Sequence, residues 1–403
     1  MKIAFISDTH LGFGWGGPLA DDSIRQAREA FLKAIQMKAD FIVHPGDIFD
    51  ERIPKPEVWV EALRLFSLTS MVEDTGVRPV ENKESPLPFR GIPVVAIHGN
   101  HERRSSGYKN PVEALEASGH LLYLNDRGVV LEKDGEKVHI FGMGYTPESH
   151  ALERLRELNP TKIEDAYNIF VLHQNIKEFL PEEISFLALN DMPKFDLVVN
   201  GHIHWNEFRD MGDWRFIMPG STVTTQLKKQ EAVRKKGFYM LDTDTGKIDF
   251  VELETVRPFI YRELTFSDSD ITTVASEIRK TIEDILNKEY SMKPIIKLKL
   301  SGSIKTKRNI DKASIVNDFS DHAIIVIDNR LETENLKKRI EELRDLQAKK
   351  VSAETLGLSI LKGELQRLDY KGVDPEFIFE YLVNGDIDRL LDAFIKHHSK
   401  ATS

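Results

Sequence analysis

Not one of the 403 residues is cysteine. That excludes a disulfide framework and a thiolate zinc site, so any metal must be held by His, Asp, Glu or Asn. Nor does any apolar run approach the roughly 18–20 residues that a membrane helix needs. The opening MKIAFISDTH lacks the charged start, apolar stretch and small-residue cleavage site of a secretory signal. It reads as a buried strand running into polar residues. The location expected on this basis is the cytoplasm of a prokaryote, with no membrane partner. Positive charge is short as well: 55 Lys and Arg against 65 Asp and Glu leave a formal charge of −10 at pH 7. Such a balance argues against a protein that coats nucleic acid by bulk electrostatics. It leaves room for a phosphate-handling metal site, because carboxylates hold divalent cations and these restore positive potential locally.

What is present is ordinary globular material, 41% hydrophobic and 30% charged, in a chain long enough for two or three domains. Strand-like apolar runs fall at 2–7, 41–44, 93–97, 138–141, 168–173 and 196–200, with helical patterns between them, as at 22–37 and 57–70. This alternation predicts a layered α/β domain. Beyond Trp205 the runs 215–218, 237–242 and 248–253 read as an antiparallel second half. The division expected is 1–258, then a small α/β unit at 259–330, then a charge-rich helical tail at 331–403. Within the small unit a helix is expected at 269–288 and strands at 295–300 and 323–327. Residues 73–91, rich in Pro, Glu and Gly, read as an exposed excursion.

Each apolar strand closes on residues of metal-ligand type: Asp8 and His10, then Gly46-Asp47, then Gly99-Asn100-His101-Glu102, then His173, then Gly201-His202-Ile203-His204. In open α/β sheets ligands gather beyond the carboxyl ends of the strands, so these distant residues should converge. So many donors exceed what one tetrahedral ion can use. They suit two ions of higher coordination, and a sulfur-free set of oxygen and nitrogen favours manganese, iron or zinc. A pair of metals clamps the attacking and leaving oxygens of an in-line phosphoryl displacement. The glycines let the backbone turn at the strand ends and bring the ligands forward.

Asp8-x-His10, Gly46-Asp47, Gly99-Asn100-His101 and Gly201-His202-x-His204, in this order, resemble the signature of calcineurin-like metallophosphoesterases. The resemblance implies a four-layer α/β/β/α sandwich and two metals. Asp8, His10, Asp47 and His204 would hold one, and Asp47, Asn100, His173 and His202 the other, with Asp47 bridging. His101 would face the phosphate and protonate the leaving oxygen.

The Leu11-Gly12 continuation, Pro219-Gly220-Ser221 and Lys236-Gly237-Phe238-Tyr239 are similar to blocks of the SbcD-like double-strand-break repair nucleases. That likeness implies two manganese ions per subunit, with magnesium, iron or zinc as substitutes. The implied activities are 3′-to-5′ exonuclease on duplex ends and endonuclease on single strands. It further implies a DNA-contacting cap, a homodimer, an SMC-like coiled-coil ATPase bound by the C-terminal helices, and a nucleoid-associated location. Two other readings stay open. Glu102 after Asn100-His101 is typical of Ser/Thr protein phosphatases, although Asp50-Glu51-Arg52 is one residue out of their register. A scaffold that brings an ATPase to DNA would also carry such a tail, but it has no need of the complete donor set.

DNA contacts are expected from three basic groups: Arg103 and Arg104; Lys228, Lys229, Arg234, Lys235 and Lys236; and Lys305, Lys307 and Arg308. Each can neutralise phosphate without reading base identity. Trp59 and Leu115, on helices that pair across a two-fold axis in the family, are candidates for the dimer interface. The tail residues Leu356, Ile360, Leu361, Leu365, Phe377, Phe379, Tyr381, Leu382, Leu390, Leu391, Phe394 and Ile395 suit docking in a partner's groove. A self-contained helical hairpin would carry the same pattern.

Overall fold

The computed structural model describes residues 1–81, 89–105, 107–180, 185, 187–305, 310–333, 353–368, 374–383 and 390. The described chain divides into two compact units, one of residues 1–263, 280–299 and 312–328 and one of residues 264–279, 300–311 and 329–403.

Two sheets dominate the first unit. The six-stranded sheet contains β1 (Lys2–Phe5), β2 (Phe41–His44), β4 (Val94–Ala96), β5 (Leu122–Tyr123), β12 (Gly237–Asp242) and β13 (Lys247–Glu252), in the order β13-β12-β1-β2-β4-β5. The seven-stranded sheet contains β3 (Arg78–Pro79), β6 (Arg127–Lys133), β7 (Glu136–Met143), β8 (Tyr167–Leu172), β9 (Leu197–Asn200), β10 (Glu207–Asp210) and β11 (Arg215–Met218). Its order is β10-β11-β9-β8-β7-β6-β3.

Side-chain alternation explains why these sheets stack. Ile3 and Phe5 point from β1 into an intersheet core shared with Ile140, Ile169, Val199 and Ile217. Ala4 and Ile6 point the other way. They pack with Phe31 of α1 (Asp22–Gln36), Phe66 of α2 (Pro56–Ser70) and Leu115 of α3 (Pro111–Ala117). Phe170 and Val198 alternate in turn toward α4 (Glu148–Leu158), where Ala151 and Leu155 meet them. The layers are therefore helix, sheet, sheet, helix, as expected. The burial of Phe31, Phe66, Phe170 and Phe5 makes these interfaces the main source of stability; each such side chain removed from water contributes roughly 1.5–3 kcal/mol.

One expectation is corrected. The runs after Trp205 do not form a single antiparallel group. β11 pairs in parallel with β9, in the seven-stranded sheet, while β12 returns to the other sheet and runs antiparallel to β1 and β13. Apolar patterning gives a strand's existence but not its partner, and β11 and β12 are equally apolar. The hairpin of β6 with β7 was also absent from the sequence reading, since Arg127–Lys133 carries little alternation.

A third sheet has the order β14-β15-β16, from Phe259–Ser269, Ile295–Ile304 and Ile324–Thr333. The helix α6 (Ile271–Leu286) follows β14, and α7 (Lys312–Asp318) follows β15. The division between the compact units passes through each of these three strands. In the second unit, α8 (Ala353–Arg367) and α9 (Pro375–Val383) pack on each other where Gly357 leaves room for the Phe379 ring. Ile360 and Leu382 remain exposed. Leu391, Phe394 and Ile395 lie outside the described residues, as does the stretch 334–352 of the expected tail.

Candidate metal centre

The donors meet because the strands that end in them are parallel neighbours. β1 pairs with β2 and β2 with β4, so Asp8, Asp47 and Asn100 emerge along one edge of the first sheet. β8 and β9 pair in parallel in the second sheet and deliver His173 and the 202–204 segment to the same place. The loops then lock to one another. The N–H of Asp8 donates to the Gly46 carbonyl at 3.2 Å, and that of His10 to the Asp47 carbonyl at 3.1 Å. Asp8, His10, Asp47 and His202 all adopt positive φ, between 43° and 72°. Non-glycine residues enter this region at a steric cost, which surrounding structure must offset and which is common at functional sites. Here the cost turns four side chains inward.

Ligand atoms of Asp8, His10, Asp47 and His204 lie within 4.8 Å of one another, as do those of Asp47, His173 and His202. Asp47 belongs to both groups. The Nε2 atoms of His10 and His204 face each other at 3.2 Å, and His173 Nε2 lies 3.2 Å from Asp47 Oδ2. Asn100 Oδ1 completes the second group, 2.8 Å from His202 Nδ1 and 3.1 Å from His173 Nε2. Donors bound to one ion at roughly 2.0–2.2 Å and near right angles stand about 3 Å apart, so this spacing fits a divalent metal in each group. All seven sequence-predicted donors are brought together.

Residues 1–206 match the calcineurin-like phosphoesterase family. The chain belongs to this family. It is 26% identical over 402 residues to the DNA double-strand break repair protein Mre11 of Methanocaldococcus jannaschii, covering 94% of this chain and 98% of that protein. It is 29% identical over 324 residues to the double-strand break repair protein MRE11 of Encephalitozoon cuniculi, covering 72% of this chain and 55% of that one. A third relative, the double-strand break repair protein mus-23 of Neurospora crassa, is 27% identical over 71% of this chain and 44% of its own length. The chain thus spans about half the length of the last two.

The donors are held by a further ring of contacts. His173 Nδ1 donates to the Pro45 carbonyl at 2.7 Å, which leaves Nε2 to face Asp47. His204 Nδ1 meets Thr225 Oγ1 at 2.7 Å, and His10 Nδ1 meets Asp50 Oδ1 at 3.1 Å. The Asp8 carboxylate accepts the His202 N–H at 3.0 Å and the Ser7 hydroxyl. Glu102 is wholly buried and accepts the N–H groups of Asp47, Phe49 and Gly99 at 3.1, 2.8 and 2.7 Å, joining two donor loops. Asp50, Glu102 and Thr225 were not assigned site roles from sequence. Only the two acids could have drawn attention there, through their closeness to Gly-Asp and Asn-His.

The electrostatics of the metal-free centre follow from burial and opposed charges. Burial disfavours the charge on His173, but the carboxylates of Asp47 and Asp8 outweigh it and raise the pKa to about 9. Burial would raise Asp47, yet His173 and His10 pull it far below the usual carboxylate range. His202 falls to about 3, by burial and the neighbouring His173. Burial and the adjacent Asp47 charge push Glu102 up to about 7, against the backbone N–H groups that favour its ionised form.

His101 lies outside the two groups that share Asp47, but it forms a third group of close ligand-type atoms with His10 and Asp50. Its ring packs edge-on against His10, with centroids 4.8 Å apart, and its backbone N–H donates to Asp47 Oδ1 at 3.0 Å. Nδ1 donates to the Asp50 carbonyl at 2.6 Å, which frees Nε2, and the side chain is 36% exposed. A phosphate at the donors would therefore be within approach of this imidazole.

The basic residues divide. Arg103, Lys228, Lys229, Arg234, Lys235 and Lys305 are exposed and Arg104 is half-buried, its guanidinium 5.4 Å above the Tyr108 ring. Lys229, Arg234 and Lys235 carry acidic partners, Glu263, Glu207 and Glu252. Lys307 and Arg308 lie outside the described residues. Lys236 is a correction: its ammonium is enclosed, 2.8 Å from Glu231, and no phosphate can reach it. Leu115 is a second correction. It is fully buried among the helices of the first core, so it presents no side chain to a partner. Trp59 is half-buried against Phe49, with ring centroids 4.9 Å apart, while Val60 and Leu63 beside it are exposed.

Proposed function

We propose that this phosphoesterase is a manganese-dependent DNA nuclease of double-strand-break repair, a 3′-to-5′ exonuclease on duplex ends and an endonuclease on single strands. The observation that carries the reading is a complete pair of donor groups sharing Asp47, with His101 beside them and outside both. The alignment over 98% of an archaeal protein named for double-strand break repair supports DNA as substrate.

Two divalent metals at these donors would polarise the phosphodiester and supply an activated water. The chain's own residues do the rest. Asp47, shared by both groups, sets their separation. The Asp50 carbonyl holds His101 Nδ1–H, so Nε2 is the atom that delivers a proton to the departing sugar oxygen. Arg103 and Lys228 are exposed cations that can take backbone phosphates without selecting bases.

The same reading divides the chain at 258 and 330 into nuclease, cap and tail, and places it in a prokaryotic cytoplasm near the nucleoid. It gives the exposed apolar residues of α8 and α9 to an SMC-like coiled-coil ATPase. No described helix is long and apolar enough to cross a membrane. It also pairs two copies through α2, where Val60 and Leu63 stand about one turn apart on an exposed face.

Labelled duplex and single-stranded DNA, incubated with manganese, magnesium or chelator, tests the reading. Manganese-dependent cleavage lost in Asp47→Ala supports it. Release of phosphate from a phosphopeptide, with DNA left intact, would replace it by protein phosphatase activity.

A further inference from the structure

The enclosed Lys236 has a structural partner on each side of the metal ligand His204. Its ammonium has three donors, and all three are used: Glu231 Oε1 at 2.8 Å, the His204 carbonyl at 2.9 Å and Ser221 Oγ at 2.7 Å. Glu231, on α5 (Lys229–Val233), is equally enclosed; the two side chains are 3% and 1% exposed. It also accepts the N–H groups of Thr225 at 3.4 Å and Gln226 at 3.0 Å, and its Oε1 lies 4.0 Å from His204 Nδ1. Thr225 in turn meets His204 Nδ1 through its hydroxyl. A buried ion pair is costly unless its remaining hydrogen-bonding capacity is satisfied, and this one is satisfied on both sides.

The contacts converge on one residue. Lys236 holds the backbone of His204, and Glu231 holds the backbone of the residue that holds its ring. Gly220 stacks so closely on this segment that an added Cβ would lie 2.9 Å from Asn206 N. We infer that Glu231 and Lys236 form a positioning pair that aims His204 at the Asp8–His10–Asp47 group. This rests on reading His204 as a metal ligand. His173 and His202, on the other side of Asp47, make none of these contacts with the pair, so the pair would act on one metal and not on both. It also assigns a lysine from a basic run to metal binding instead of DNA.

The test is manganese binding to the full chain by isothermal titration calorimetry, with DNA affinity measured separately in chelator. In Lys236→Met one of two manganese sites should weaken about 10–100-fold, the usual range for loss of an outer support. DNA affinity and its salt dependence should not change, and turnover should recover at high manganese. If Lys236→Met does not fold, Glu231→Leu/Lys236→Met removes both charges together, a replacement that buried pairs tolerate. Thr225→Val removes only the hydroxyl at the ring. Unchanged manganese affinity in the variants that fold would overturn the proposal. So would equal weakening of both sites, which marks a general structural role, or reduced DNA affinity with intact metal sites. Because binding is read directly, wild-type protein that binds manganese but leaves DNA intact would sink the nuclease reading and not this one.

Discussion

The carboxylate of Asp50 lies 3.1 Å from Nδ1 of His10, on the side of the ring away from the other donors. Nε2 of the same ring faces His204 and Asp47. A carboxylate behind an imidazole fixes its tautomer and raises its basicity as a ligand. Asp50→Ala should therefore weaken metal binding about 10–100-fold, even though Asp50 belongs to neither expected ligand set. Manganese titration followed by electron paramagnetic resonance checks this. An unchanged affinity would mean that the contact is incidental.

His101 supplies the complementary case. Its ring is no part of the two donor groups that share Asp47, and its contact with Asp47 runs through the backbone N–H, which a side-chain substitution keeps. His101→Asn should lower turnover by about 10²–10⁴-fold, the span of general acid catalysis, with metal stoichiometry preserved. Metal content after gel filtration decides the matter; loss of metal would make His101 a structural support of the centre.

These two histidines show what could be read in advance. The donors were legible because each ends an apolar strand, and parallel pairing brings strand ends together whatever the loops between them do. The ring of outer contacts was not legible, because it depends on side-chain direction. Lys236 sits in a basic run and looks solvated, yet it directly precedes β12 and its ammonium meets the buried Glu231. Leu115 lies on a short helix whose apolar face the sequence identifies without saying what covers it; the answer is the first core. The sheet exchange between β11 and β12 was hidden for the same reason.

Protons and metal should compete at His173. With its pKa raised to about 9 in the metal-free protein, its charged form is favoured by folding. A raised histidine contributes stability that is fully present below its unfolded value near 6.5 and is lost as pH climbs through 9. Metal needs the neutral ring, so binding between these limits must release a proton. Calorimetry in buffers of different ionisation enthalpy should show that release at pH 7.5 and little of it above 9. Absence of any buffer dependence at pH 7.5 would show that His173 is already neutral.

The α2 face makes a prediction about assembly. Val60 and Leu63 are 45% and 37% exposed, whereas the sequence-predicted Leu115 is inaccessible. If two copies pair through this face, Leu63→Glu places like charges against each other across the two-fold axis. Light scattering should then report the monomer mass where the parent chain gives twice that value, with metal binding retained. A parent chain that is already monomeric at micromolar concentration would remove α2 from the argument.

Gly99 offers the sharpest separation of metal binding from folding. Its φ is not in the left-handed region, so conformational freedom is not why glycine stands there. The reason is space: a Cβ would lie 2.0 Å from Asp47 Oδ1 and 2.5 Å from Asp47 N. Neither neighbour is the far end of a flexible chain. Asp47 is anchored through its N–H to Glu102, and its Oδ1 accepts the N–H of His101. Gly99→Ala must displace the carboxylate common to both donor groups, and with it the spacing between them. Overpacking of this kind costs about 1–3 kcal/mol of stability, which a domain with three separate apolar cores should survive. The variant should melt as one cooperative unit, some degrees lower than the parent, while both manganese sites weaken by more than about 100-fold, beyond the range for losing an outer support. Gly363→Ala, where the backbone is not left-handed and an added Cβ meets nothing within 4 Å, is the matched control for an added methyl group. If Gly99→Ala bound manganese like its parent, Asp47 could not be the residue that joins the two groups.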